Sequence, residues 1–261
     1  MSDLGGLSLL EKINMDIEKA DFNSDKERED IKLKVLNKYT RWSCNDYLQY
    51  ERLLDKLKEE KDKKHCSQVE IGKALENIVT FIFEKSYFYK VYPNKRTSTH
   101  EIDQFVVLSD KGEQAIYDYH FSRKLLISEQ DYFLCECKNY KTKVQATWVG
   151  KFYTLLKVSG DCTVGIIFSC NGLTGKENNW YDGHGLTKTI YRISNSTQHT
   201  YILDFNLNDF KLLLDNKNTI FSIILNKKRA LVANVKSVNL IDSDYLNNNE
   251  IEKIYKEISQ G

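Results

Sequence analysis

The sequence contains very little proline, no long apolar run and almost no net charge. A single proline in 261 residues argues against polyproline linkers and collagen-like repeats. No apolar stretch approaches the roughly 18 residues that a membrane-spanning helix needs, so we expect no membrane association. With 38 basic and 37 acidic residues the net charge is +1, which excludes a globally basic nucleic-acid-binding protein but leaves a local basic surface open.

The N-terminus shows no pattern typical of secretion. It lacks a basic flank ahead of a long apolar stretch, so we expect no signal peptide and a cytoplasmic location. The six cysteines are scattered, apart from the C-x-C pair Cys135 and Cys137, and we expect reduced thiols. Structural zinc usually uses C-x₂₋₄-C spacing, so the cysteine pattern does not favour a zinc site.

Composition and periodicity predict a helical N-terminal region over residues 1–66. Apolar residues make up 41% of the chain, which is enough for a packed core and excludes disorder as the main state. Within 1–66, leucine and isoleucine recur at spacings of three and four, as on helix faces. Residues 1–84 carry 15 basic and 18 acidic residues, so we expect a dimerisation, sensor or partner module there rather than a DNA clamp.

Residues 67–225 alternate between helix and strand patterns and predict an α/β core. A helix is predicted over 67–85, because its apolar residues share one face. Apolar strand-like runs follow, separated by amphipathic stretches, as in a sheet with crossover helices. The strand-like runs are YFYKVYP (87–93), IDQFVVL (102–108), YFLCECK (132–138), TVGIIFSC (163–170) and YILDF (201–205). We treat residues 226–261 as a C-terminal extension with a short helix at 250–258.

The strand YFLCECK carries the strongest chemical signal. Side chains alternate across a strand, so Glu136 and Lys138 share one face and Cys135 and Cys137 point to the other, into apolar cover. A second acid, Asp103, opens the preceding apolar strand. An acid there is costly unless it is solvated, paired or bound to a cation.

Two carboxylates at adjacent strand ends form a hard-oxygen site suited to Mg²⁺. A lysine beside Asp103 and Glu136 would hold a phosphate or orient an attacking water. That set fits metal-assisted hydrolysis of a phosphodiester, and Glu76 in the preceding helix is a further carboxylate that could face the site.

In this order, Glu76, then HEID with Asp103, then ECK with Glu136 and Lys138, the chain resembles the PD-(D/E)XK nuclease superfamily, and more narrowly its Mrr-type restriction endonuclease branch. The resemblance covers roughly residues 67–216. It implies a restriction-endonuclease-like mixed sheet flanked by helices, and a role in restriction or anti-phage defence. The 109–131 interval departs from the pattern and would add a hairpin or helix.

The resemblance also implies roles for individual residues. Asp103 and Glu136 would be metal ligands, with the carbonyl of Cys137 as a third, for Mg²⁺ or a substituting Mn²⁺. Lys138 would position or activate the attacking water, and Glu76 would support that water or a second metal.

Charge favours a nucleic-acid substrate around the motif. Residues 85–160 hold 12 basic and 8 acidic residues. DNA is the expected substrate, with RNA open, and no motif predicts a sequence preference. We expect substrate contacts from Lys141, Lys143, Lys151 and Arg96.

Other interpretations stay open at this point. Glu136 and Lys138 taken alone could be a surface ion pair, which contributes little to stability. A non-catalytic nucleic-acid-binding or assembly subunit would keep the fold, although such subunits usually lose one of the three site residues. The N-terminal helices could also serve an interaction protein. We interpret Trp148 and Phe152, which are four residues apart, as core contacts rather than base-stacking side chains.

Overall fold

The alternating sequence patterns fold into an α/β structure built on one five-stranded mixed sheet. The computed structural model describes residues 9–19, 31–32, 34–38, 40–62, 68–96, 101–117, 123, 126–175, 182–194 and 198–233. In chain order the strands are β1 (Tyr89–Arg96), β2 (Glu101–Leu108), β3 (Tyr132–Cys137), β4 (Val164–Phe168) and β5 (Tyr201–Phe205). The helices are α1 (Leu9–Glu18), α2 (Cys44–Asp62), α3 (Gln68–Glu84), α4 (Asp110–Tyr117), α5 (Ala146–Val158), α6 (Asp182–Ile193), α7 (Leu207–Leu212) and α8 (Ile220–Ala233).

The strands lie side by side in chain order, from β1 to β5. The β1–β2 and β2–β3 pairs are antiparallel, whereas β3–β4 and β4–β5 are parallel. Parallel neighbours need crossover connections, and α5 and α6 provide them. The amino end of β2 therefore lies beside the carboxyl ends of β3, β4 and β5, at one end of the strands. This confirms the predicted mixed sheet flanked by helices.

Helices cover both faces of the sheet. On one face, the ring of Phe83 from α3 lies 5.1 Å from Phe133 and 6.0 Å from Phe168, centroid to centroid. On the other face, α5 approaches β4 closely at Gly165. A Cβ atom there would lie 2.6 Å from Phe152 and 2.8 Å from Leu156, so only glycine admits this helix at its present distance.

The described part of the N-terminal region is helical, as predicted, and packs against the sheet unit. The Tyr50 hydroxyl donates to the carbonyl oxygen of Phe210 at 2.8 Å, across 160 residues of sequence. The Trp42 ring lies 5.5 Å from that of Phe81. Leu54 is fully buried in the same apolar cluster. These contacts bury the apolar face of α2 within the chain itself, and pairing of residues 1–66 with a second copy or a partner stays a prediction.

The folded unit continues past residue 225, where we expected an extension to begin. Helix α8 runs across this position, because apolar residues continue through its sequence and Asn226 and Ala230 are buried. The Lys227 ammonium pairs with the Asp209 carboxylate at 2.9 Å. The predicted helix at 250–258 lies outside the described residues. Within the interval 109–131, the residues after β2 form a helix, α4.

The single proline lies on β1, an edge strand of the sheet. Pro93 pairs opposite Gln104, and an edge strand tolerates its missing N–H. Asn94 follows with φ of 50°, a left-handed conformation that Asn adopts more readily than most residues. None of the helices in the described ranges combines the length and the apolar character that crossing a bilayer requires.

The packing of α2 gives a stability test with an internal control. Leu54→Ala should lower the free energy of unfolding by about 2–5 kcal/mol, because it leaves a cavity in the core. Leu48 lies on the same helix but is 54% exposed, so Leu48→Ala should change stability by no more than about 0.5 kcal/mol. Urea unfolding measures both. Equal, small effects would show that α2 is not part of the cooperative core.

Candidate active site

The pairing of β2 with β3 places Asp103 and Glu136 on the same face of the sheet, at the end where β3 finishes. Gln104 lies opposite Cys135, so the register continues with Asp103 beside Glu136. Burial alternates along β2: Ile102 and Gln104 are buried and Asp103 between them is half-buried. The two carboxylates therefore project together, away from the face that α3 covers.

The side chains of Asp103, Glu136 and Lys138 converge at this end of the strands. The Lys138 Nζ atom lies 2.6 Å from Glu136 Oε1 and 3.6 Å from Asp103 Oδ2. Asp103 Oδ2 also accepts a hydrogen bond from the backbone N–H of Cys137 at 2.8 Å, which fixes its carboxylate against β3. The side chains of Asp103, Glu136 and Lys138 are 18%, 14% and 17% exposed, so the ions are largely withdrawn from water yet open on one side.

Withdrawal from water makes the ionisation of these groups interdependent. Burial raises the pKa of Glu136 from 4.5 to about 7; the charge of Asp103 adds to this rise, and Lys138 opposes it. Burial alone would lower the pKa of Lys138, but attraction to Glu136 and Asp103 outweighs it, so the pKa of Lys138 is raised. Lys138 is thus held as a cation beside both carboxylates.

Glu76 reaches the same charge cluster from α3. Its Oε2 atom accepts a hydrogen bond from Asn94 Nδ2 at 3.4 Å, and its backbone carbonyl accepts one from Gln104 Nε2 at 3.5 Å. Burial raises the pKa of Glu76; Asn94 lowers it, and the nearby charge of Asp103 raises it again. The structure therefore brings all four residues predicted as catalytic to one end of the sheet, where β3 finishes.

An aromatic wall formed by Trp148 and Tyr140 borders the cluster. The Lys138 ammonium lies 5.0 Å from the centroid of the Trp148 ring, and the Lys151 ammonium lies 4.5 Å from it. The Tyr140 ring is 5.7 Å from that of Trp148. We expected Trp148 and Phe152 to be core contacts, and Phe152 is buried. Trp148 packs partly on the core and also contacts both cations, a role that helical spacing does not reveal.

Of the residues predicted to contact substrate, the structure places Lys151 at this wall. Lys141 and Lys143 are exposed in the segment that follows β3, and Lys151 is exposed on α5 beside Trp148. The backbone of Arg96 pairs with Glu101 at the end of β1, but its side chain lies outside the described structure.

The donor set of the site suits a hard divalent cation. Mg²⁺ is usually held by one or two carboxylates, with water and substrate phosphate completing its shell, and Asp103 and Glu136 supply that number. Within the described residues, no group of three or more His, Cys, Asp or Glu side chains could hold a metal by itself. The Cys137 thiol is buried, so any metal contact by Cys137 would fall to its backbone carbonyl, as the resemblance implies.

Sequence reasoning missed Asp204, which lies in register with the site. Ile167 of β4 pairs with Glu136 on one side and with Asp204 of β5 on the other, so both acids project from the same face. Asp204 Oδ2 accepts a hydrogen bond from Asn206 at 3.0 Å, whereas its buried Oδ1 has no hydrogen-bond partner among the described residues. An acid within an apolar strand was the signal that singled out Asp103, and YILDF carries it too.

The raised pKa of Glu136 predicts a pH-dependent stability. Between pH 4.5 and about 7 the folded protein retains a proton that the unfolded chain releases, so the contribution of Glu136 to stability falls as pH rises. In the presence of a chelator, Glu136→Gln should therefore become progressively more stable relative to wild type across this window and level off above it. Urea unfolding at several pH values measures this difference.

The exposed Glu113 on α4 provides the control. The free energy of unfolding of Glu113→Gln should change with pH in the same way as that of wild type. If the free energy of unfolding of Glu136→Gln also follows that of wild type at every pH, the pKa of Glu136 is not raised as described.

In comparisons with known proteins, no protein-family model, no curated protein and no solved structure matches the chain. The resemblance to the PD-(D/E)XK superfamily therefore rests on the motif residues and their order in the sequence alone.

Proposed function

We propose that the chain is a metal-dependent endonuclease that hydrolyses phosphodiester bonds of DNA and has the restriction-endonuclease-like fold of the PD-(D/E)XK superfamily. The convergence of Asp103, Glu136 and Lys138 at adjacent strand ends carries the proposal. The mixed sheet, with helix α5 and the parallel strand β4 after the acid-x-lysine strand, supports it. A place in restriction or anti-phage defence follows from the resemblance only.

The carboxylates would hold the metal ion. Asp103 is fixed by the Cys137 N–H and Glu136 lies beside it, so both oxygens are positioned before any substrate arrives. Mg²⁺ or Mn²⁺ held there would supply Lewis acidity toward the scissile phosphate. Binding a cation would also offset the burial and the repulsion by Asp103 that together raise the pKa of Glu136.

Lys138 acts in this proposal as a fixed positive charge. Because its pKa is raised, it is protonated near neutral pH and donates hydrogen bonds rather than accepting a proton. It would therefore orient the attacking water or stabilise the negative charge that develops on the phosphate. The Trp148 ring, 5.0 Å away, limits the positions that its ammonium group adopts.

The exposed lysines beside the site favour a polyanionic substrate. Lys141, Lys143 and Lys151 lie along the segment and helix that follow Lys138, where they would contact the backbone phosphates of a bound strand. DNA remains the first choice, and RNA is the alternative that the experiment must separate.

The decisive assay compares polymers and metals in one design. Purified protein is incubated with supercoiled plasmid, linear DNA and RNA, each with Mg²⁺, Mn²⁺ or EDTA. We expect cleavage of DNA that depends on metal. Cleavage restricted to RNA would move the substrate to RNA, and binding without cleavage of either polymer would favour the non-catalytic subunit.

Removing Lys138 should reduce the rate of cleavage without removing DNA binding. A stabilising group of this kind typically contributes about 10²–10³ in rate, so Lys138→Ala should lower kcat by about that factor and leave KM near the wild-type value. Lys141→Ala should instead raise KM, because a phosphate contact contributes to binding in both ground and transition states. Steady-state kinetics on plasmid DNA separate the two effects.

Lys217 is exposed on the turn after α7 and serves as the control. Lys217→Ala should cut at the wild-type rate. Circular dichroism should show that Lys138→Ala is folded. A folded Lys138→Ala variant that also cuts at the wild-type rate would mean that Lys138 is a structural ion-pair partner and that the site lies elsewhere.

A further inference from the structure

A cavity lies at the opposite end of the strands from the candidate active site, where β4 and β5 begin. Its volume is about 670 Å³, which falls within the roughly 300–1,000 Å³ of small-molecule sites. The start of both strands, the segment 126–130 and helix α8 form its walls. The cavity lies at the amino ends of the parallel strands, whereas Asp103, Glu136 and Lys138 lie near their carboxyl ends, so the two sites are separate.

The cavity is lined by a half-buried cation, Lys228 of α8. Its Nζ donates to the carbonyl oxygen of Ile127 at 2.6 Å and lies 4.9 Å from the centroid of the Tyr201 ring. No carboxylate forms an ion pair with Lys228 among the described residues. Burial lowers the pKa of Lys228 to about 8, and the more distant Glu129 only partly offsets this. An ammonium partly withdrawn from water, with a carbonyl and a ring but no described carboxylate beside it, is stabilised when an anion enters the cavity.

The remaining charges of the lining are also mainly positive. Arg123 and Arg229 line the cavity together with Lys228, whereas Glu129 is the only acid in its described lining. Arg123 is held in place by the Asp131 carboxylate at 2.6 Å. Because Arg123 is already paired with Asp131, the excess of positive charge in the lining is modest, and it favours an anionic ligand such as a phosphate monoester.

The apolar part of the lining suits an organic group. Tyr201 and Phe221 lie on opposite walls, one on β5 and one on α8, and Ile224 and Leu225 extend the α8 surface. A ligand that places its phosphate at Lys228 would have aromatic and aliphatic surface beside it for a ring system.

We propose that this cavity binds a small phosphate-bearing molecule of about mononucleotide size, with Lys228 as the principal phosphate contact. The site is independent of the nuclease function proposed above, because it uses none of the same residues. The phosphate belongs either to a free nucleotide or to the end of a nucleic-acid strand, and the size of the cavity, close to that of a mononucleotide, favours the free molecule.

Isothermal titration calorimetry on the full chain tests the proposal. The probes are AMP, UMP, inorganic phosphate and a 5′-phosphorylated oligonucleotide, each with EDTA present. Wild type should bind at least one nucleoside monophosphate more tightly than inorganic phosphate. Lys228→Met should weaken that binding at least tenfold, and the exposed Lys211→Met should not change it.

A second variant guards against misfolding of the first. Val232 lines the cavity and is 54% exposed, so Val232→Glu adds a negative charge at the rim without disturbing the core, and it should also weaken binding. The proposal is overturned if no small phosphate binds wild type, if only the oligonucleotide binds, or if both cavity variants bind as wild type does.

Discussion

The register between β2 and β3 is the constraint on which the candidate active site depends. Because Gln104 lies opposite Cys135, the carboxylate of Asp103 falls beside Glu136 and within reach of the Cys137 N–H. A slip of one residue would turn the side chains of a whole strand to the other face and separate the two acids. Gln104 and Cys135 are buried on the opposite face of the same two strands. Their burial thus holds the register that brings Asp103 and Glu136 together.

The opposite face of the sheet supports the site from behind. Phe83 of α3 packs against Phe133 and Phe168, and α2 in turn packs against α3 through Trp42 and Phe81. These contacts pack β3, which carries Glu136, between layers of the core. Support of this kind is what a preorganised site needs, because small displacements of reacting groups are costly in rate. Helix α2 therefore supports the geometry of the candidate site through α3 and the sheet.

Local patterns in the sequence predicted the sheet and part of the candidate site, and what they missed depends on information that is not local. Alternation along β3 predicted that Glu136 and Lys138 share a face, since strand geometry fixes which side chains do so. Asp103 was added from its place on the preceding strand, and its position beside Glu136 depends on the register between the two strands. Trp148 packs on the core, as predicted, but its contacts with Lys138 and Lys151 were not foreseen, because helical spacing gives the direction of a side chain but not the neighbours that it meets. Asp204 was missed because its relation to Glu136 depends on two parallel pairings across β4, which no spacing in the sequence encodes. The boundary set at residue 225 falls inside α8, where Asn226 and Ala230 are buried.

The edge strand β1 carries the only proline of the chain, directly before a residue with left-handed backbone. A free edge with unpaired N–H and C=O groups offers a template on which strands of other molecules can add. Pro93 lacks an N–H to offer, the left-handed turn at Asn94 breaks the extended outline, and Lys90 and Lys95 add charge along the same strand. A chain with so little net charge has weak electrostatic repulsion between copies to keep it dispersed. The local shape of β1 therefore protects this edge of the sheet against strand addition, while β5 forms the other edge.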